Sequence, residues 1–160
     1  MDTFCIPIVV EDEKDLYEKY YPSALTFSSD LAAYLEDFLE DRKLGDGVIL
    51  ELQASQQPDM EHFRNAFHDF TDKLIRRNSK AIHLADLKAI LFLLLGMAFV
   101  SIGLALAGRV DTIVAEIISA IGSFAMWGAA STFIETLPTL RVQRKRLQLF
   151  SKAEIRYKPI

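Results

Sequence analysis

The sequence predicts an α+β membrane protein, a two-helix transmembrane hairpin inserted into a small cytoplasmic domain of about three strands and two to three helices. Three observations carry this prediction. From Ala89 to Gly108 the stretch AILFLLLGMAFVSIGLALAG has no charged residue and is apolar on every face. At about 1.5 Å per residue it covers roughly 30 Å, the hydrocarbon thickness of a bilayer. A second uncharged run, Ile117 to Ile134, lies beyond Arg109-Val110-Asp111-Thr112, a connection that admits only a tight turn between antiparallel helices. Both flanks of this hairpin are charged and patterned as short strands and amphipathic helices. The spans are expected at about 87–108 and 113–137, with a cytoplasmic α/β domain over 1–80 and a returning segment over 138–160.

Charge is segregated along the 160 residues, so the net −4 describes no actual surface and argues against nucleic-acid binding. The segment from Glu11 to Glu61 is acidic. Lys73, Arg76, Arg77, Lys80 and Lys88 precede the first span, and Arg141, Arg144, Lys145, Arg146 and Lys152 follow the second. Only Arg109 lies in the hairpin turn. Lys and Arg are retained on the cytoplasmic side, so the protein is expected in the cytoplasmic (inner) membrane as a multi-pass protein with both termini cytoplasmic. The start, MDTFCIPIVVEDEK, has neither a basic n-region nor a long apolar h-region and does not read as a signal peptide. The single Cys5 excludes an internal disulfide, and its apolar neighbours predict a buried strand residue.

In chain order, Phe4 to Val10 is a β-branched run whose Pro7 lacks an N–H and therefore favours an edge strand. Asp12 to Tyr21 suggests a short helix that Pro22 ends. Ser28 or Ser29 caps a helix to Lys43, in which Leu31, Leu35, Phe38 and Leu39 form one stripe and Glu36, Asp37, Glu40 and Asp41 the wet face. Gly45-Asp46-Gly47 is turn chemistry, and Val48, Leu50 and Leu52 share one face of a second strand. Gln56-Gln57-Pro58-Asp59 opens a further helix with a Met60, Phe63, Phe67, Phe70, Leu74 stripe. Asn78-Ser79 could break this helix, with Ser79 recapping, but no Gly or Pro occurs between Pro58 and Gly96, so the preferred expectation is that it runs unbroken into the first span. Pro138 marks the exit from the second span, Arg141 to Ser151 reads as a short basic helix, and Ala153 to Lys158 alternates as a strand. A lone strand is unstable, so this tail is expected to return to the N-terminal sheet.

This order of parts resembles an uncharacterised bacterial family of small two-span membrane proteins with a cytoplasmic α/β domain. The features that carry the resemblance are Pro22-Ser23 after a first strand, Trp127 in the second span, Glu135-Thr136-Leu137-Pro138, Arg141, Arg144, and the strand Ala153-Glu154-Ile155. In such relatives an Arg and an acid follow the Trp, where Gly128 and Ser131 stand here. The resemblance implies this architecture and no activity.

Within the hairpin, Ala115, Ser119, Gly122, Met126 and Ala129 form a mostly small face, and Ser119 and Ser123 make a small-xxx-small step. That face serves either the hairpin's own two helices or association between copies. Trp127 falls too near mid-span to anchor at an interface and is expected between helices. Glu116, one turn inside the outer end of the second span, is expected to reach the interface or pair with Arg109, and Glu135 to pair with Lys88 at the cytoplasmic boundary. Arg141, Arg144, Lys145 and Arg146 suit anionic lipid head groups. His62, His68 and His83 lack metal-ligand spacing, and there is no Walker A loop, Gly-rich dinucleotide turn or G-x-S-x-G elbow. The sequence therefore predicts no cofactor and no catalytic set. It predicts a non-catalytic membrane-anchored interaction or assembly module, a homo-oligomer in contact with membrane lipid and a cytoplasmic protein partner. The alternative is an oligomeric pore or small ion transporter lined by Ser119, Ser123 and Ser131 with Glu116 at its mouth.

Overall fold

The computed structural model describes residues 3–10, 13–17, 26–41, 47–54 and 58–159. Pro22-Ser23, Gly45-Asp46 and Gln56-Gln57 lie outside them. In chain order the elements are strand β1 (Thr3–Val10), a 3-10 turn (Glu13–Leu16), helix α1 (Ser29–Asp41) and strand β2 (Gly47–Ala54). They continue with helix α2 (Met60–Leu106), helix α3 (Thr112–Ser131), a π turn (Thr132–Thr136), helix α4 (Leu137–Phe150) and strand β3 (Glu154–Pro159). They fall into two units, one made of Met1–Arg77 with Gln143–Ile160, the other of Asn78–Val142.

The first unit is a three-stranded, wholly parallel sheet in the order β1-β2-β3. The segment after the hairpin therefore supplies an edge strand to a sheet begun at the other end of the chain. Ile155 stands opposite Leu50 and Tyr157 opposite Leu52. Strand residues alternate sides, and here alternation buries Ile6, Ile8 and Val10 together with Val48, Leu50 and Leu52. Onto that one face pack Leu35 and Leu39 of α1, Phe63 and Phe67 of α2, and Leu147 and Phe150 of α4. The rings of Phe67 and Phe150 meet edge-on at 5.1 Å, an arrangement that aromatic quadrupoles favour.

Caps explain where the helices begin. The Ser28 hydroxyl accepts from the Leu31 N–H at 3.4 Å at the head of α1. Asp59 Oδ1 accepts from Glu61 and His62 N–H, both at 3.0 Å, so Asp59 rather than Pro58 sets the start of α2. In α1, Glu36 and Asp37 are exposed, as the amphipathic pattern requires; Glu40 and Asp41 side chains lie outside the described residues. Of the helix expected over Asp12 to Tyr21, the described part is a single 3-10 turn.

The 47 residues of α2 run about 70 Å without a break. Gly108, at φ 81°, ends it: only glycine enters the left-handed region without a Cβ clash. Asp111 then caps α3, its carboxylate accepting from the Ile113 N–H at 3.2 Å. Pro138, expected to mark the exit from the second span, lies at the start of α4, directly after the π turn. Pro138 has no N–H to offer the preceding turn, and its ring would crowd the carbonyl four residues back. The chain responds by widening one turn, with the Leu137 N–H reaching Thr132 O, and the rod continues from Thr112 to Phe150.

Two helices are thus long and apolar enough to cross a membrane. Only 17% of each apolar window is buried in the protein, whereas a soluble core helix hides most of its apolar surface.

Candidate functional site

In the second unit α2 and α3 are antiparallel and touch through glycine. A Cβ on Gly122 would lie 2.7 Å from Gly96 O and 2.8 Å from Val100 N. A Cβ on Gly103 would lie 3.0 Å from Ala115 O and would meet the Ser119 hydroxyl, and one on Gly96 would meet Met126. Ala115, Gly122 and Ala129 are buried along the same line. The small face singled out in the sequence, including Ser119 and Met126, is therefore turned onto α2 of the same chain. Ser123 is not part of it; it is exposed, and its hydroxyl donates to Ser119 O at 3.0 Å.

Trp127 corrects its expectation. It is 73% exposed, on the outer surface of the hairpin with Phe124, Ile117 and Ile134, because the glycine contact leaves no room for an indole between the helices. Glu116 is exposed one turn into α3, and among the described residues no ion pair joins it to Arg109. Nor does Glu135 meet Lys88. The Ser131 hydroxyl donates to Glu135 Oε2 at 3.3 Å, while the Lys88 ammonium stands 5.6 Å from the Phe92 ring centroid. Arg141, Arg144 and Lys145 are exposed along α4, and Arg146 is half-buried.

In the first unit the second face of the sheet is covered by none of the described elements. Cys5, the residue expected to be buried, is exposed there with Pro7 and Val9, because even-numbered residues of β1 take the core side. Beside them stand Ile49, Glu51 and Gln53 of β2 and Glu154, Arg156 and Lys158 of β3. Glu51 ties the three strands together. Its carboxylate accepts from the Gln53 amide at 2.6 Å and the Cys5 thiol at 3.7 Å, and Lys158 Nζ lies at 3.1 Å. The Gln53 hydrogen bond and then Lys158 hold the Glu51 carboxyl below the usual range. The Cys5 thiol is pushed up, first by partial desolvation and then by the Glu51 charge, which makes it a protonated, slow nucleophile at neutral pH. Arg156 grips Glu154 bidentately at 3.0 Å and 3.0 Å, holding that carboxyl low as well.

A depressed carboxyl contributes stability above the ordinary glutamate value, about 4.3, and that contribution is lost as pH falls through the folded value. In urea titrations the midpoint gap between the natural protein and Glu51→Gln is therefore expected to narrow steadily from about pH 6 to about pH 3. A gap unchanged by pH would show that the Glu51 charge does not hold the strands.

The edge of β1 is blunted. Pro7 has no N–H to offer a further strand, and its carbonyl already accepts from the Tyr34 hydroxyl at 3.1 Å. Between this edge and the start of α1 lies an open groove of about 760 Å³ that carries the carboxylates Asp15 and Asp30. The expected sequence signals found the helix stripes and the small face; the Glu51 cluster escaped them, since its members lie 46 and 107 residues apart. Comparison of the chain with family models, with curated proteins and with solved structures gave no match.

Proposed function

We propose that this chain is a non-catalytic, membrane-anchored interaction module. Its hairpin crosses the cytoplasmic membrane with both flanks on the cytoplasmic side, and its open sheet face receives a protein partner. The observation that carries the reading is the exposed apolar sleeve of the hairpin. Phe124, Trp127, Ile134, Ile117 and Leu104 have no protein neighbour large enough to cover them, and hydrocarbon is the solvent that accepts such a surface without cost. The basic residues on both sides of the hairpin and their near-absence from its turn support the orientation. Lipid head groups on that side suit Arg141, Arg144, Lys145 and Arg146.

The sheet supports the interaction role. Wholly parallel sheets are as a rule covered on both faces, and here the described elements cover one face and leave the other, where exposed Val9 and half-buried Ile49 stand with ion pairs. Such a mixture resembles the composition of interfaces that form and dissociate.

Cys5 provides the test because it is the chain's own single thiol and is exposed. A membrane-impermeant maleimide at pH 8 is expected to label Cys5 in inside-out vesicles and not in right-side-out ones. Cys5→Ser with Arg109→Cys is expected to show the reverse. Alkaline carbonate should leave the chain in the membrane pellet. Release into the supernatant, or equal labelling of both positions from one side, would overturn the reading.

A further inference from the structure

We propose that β3 is a detachable strap: it leaves β2 as one piece while α1, α2, α4 and the β1–β2 pair stay folded, and the β2 edge it vacates can take an extended strand from outside. The opening of the strap stands apart from the membrane reading. That the incoming strand belongs to a protein partner rests on the interaction role proposed above.

Burial separates β3 from the other two strands. β1 buries Ile6, Ile8 and Val10, and β2 buries Val48, Leu50, Leu52 and Ala54. No residue of β3 is fully buried: Ile155 and Tyr157 are half-buried, and Glu154, Arg156, Lys158 and Pro159 are exposed. The free energy of a local opening follows the apolar surface it exposes and the contacts it breaks, so the strand with the least covered side chains opens first. Its fastenings to β2 are also few. Beside the backbone ladder, Lys158 Nζ meets Glu51 at 3.1 Å and the Tyr157 hydroxyl donates to Ala54 O at 3.1 Å. The Lys158 side chain is 63% exposed, and an ion pair so placed adds little. Arg156 holds Glu154 of its own strand, so that pair travels with β3. Pro159, opposite Ala54, has no N–H for the ladder.

The end of α4 supplies the pivot. Leu147 and Phe150 are buried, which keeps α4 in place when β3 leaves. Ser151, Lys152 and Ala153 follow in a turn whose N–H groups return to the Leu147, Leu149 and Phe150 carbonyls. Departure of β3 leaves a row of β2 backbone N–H and C=O groups unpaired beside Leu50 and Leu52. A strand that replaces it must run parallel to β2. It must set apolar side chains opposite Leu50 and Leu52 with a charged one between them, as Ile155, Tyr157 and Arg156 do.

The experiment is native-state hydrogen exchange of the full chain in detergent micelles. The protected amides of β3 are expected to exchange at least about ten-fold faster than those at Phe67 in α2 and Phe150 in α4. Lys158→Ala should raise the β3 rates further and leave Phe67 and Phe150 unchanged. In a Cys5→Ser background, Gln53→Cys with Lys158→Cys places two thiols at register partners. Their disulfide should slow β3 to the α2 rate, and reduction should restore fast exchange. The probe for the vacated edge is a fluorescein-labelled peptide of Ala153–Pro159, which Lys158→Ala should bind at least about five-fold more than the disulfide-locked chain does. Exchange of β3 at the α2 rate, exchange of α4 together with β3, or equal peptide binding by the weakened and locked chains would each overturn the proposal. The vesicle labelling and carbonate tests above decide the membrane role separately, since these rates are read in micelles.

Discussion

Gly122→Leu is expected to force α3 away from α2 within a single chain and to prevent the hairpin from closing. The reason is that the obstructing atoms cannot move aside. A Cβ at position 122 meets Gly96 O at 2.7 Å, Val100 N at 2.8 Å and Phe99 Cβ at 2.9 Å, two of them backbone atoms of a continuous helix. Gly122→Ala already overpacks this contact and should cost about 1–3 kcal/mol, with the four-carbon leucine side chain costing more. Gly96 faces the same contact from the other side, where an added Cβ would lie 2.8 Å from Gly122 O, so Gly96→Ala should cost a similar amount. Gly128 provides the control. A Cβ there meets only the Phe92 ring, at 3.3 Å, and a ring edge can turn, so Gly128→Ala should stay within about 0.5 kcal/mol. Unfolding of the purified chain by SDS in mixed micelles, followed by circular dichroism, ranks the three. A Gly122→Leu hairpin as stable as the natural one would show that the two helices do not pack through glycine.

Phe150→Ala is expected to have the largest effect in the first unit, about 3–5 kcal/mol, out of a total stability of order 5–15 kcal/mol. Phe150 is fully buried and stands edge-on to Phe67, also fully buried. It is also the last residue of α4, four positions before β3 begins. Removing the ring opens a cavity and at the same time loosens the anchor that delivers β3 to β2. Hydrogen exchange should therefore rise across Ile155 and Tyr157 before it rises in β1, and limited proteolysis should cut first near Lys152. Leu149→Ala, at an exposed neighbouring position, should change neither. Protection of β3 unchanged by Phe150→Ala would mean that the strand is held by its ladder alone.

Several of these features are local and could be read along the chain. Twenty uncharged residues between Ala89 and Gly108 mark a helix long and apolar enough to cross a membrane, because length and composition are read without reference to a partner. The stripe Met60, Phe63, Phe67 and the alternation Val48, Leu50, Leu52 announce which residues seek a core, since helical and strand periods are properties of the backbone. The absence of Gly and Pro from 59 to 95 allows one continuous helix, and α2 runs from Met60 to Leu106.

Only the tertiary structure decided what meets those surfaces. Cys5 and Ile6 are neighbours of similar character, and strand pairing with β2 sends one outward and one into the core. Trp127 and Gly122 lie in the same uncharged run; the close approach of Gly122 to Gly96 fixes the rotation of α3, and that rotation puts the indole outside. Pro138 disfavours a regular helix in isolation, yet here a single π turn with the Leu137 N–H on Thr132 O accommodates it and α4 follows directly. The parallel pairing of β3 and the Glu51 cluster bring together residues more than a hundred positions apart. Periodicity reports a residue's preference for being covered, while the identity of the cover depends on which distant surfaces fit, a non-local energy that no window of sequence contains.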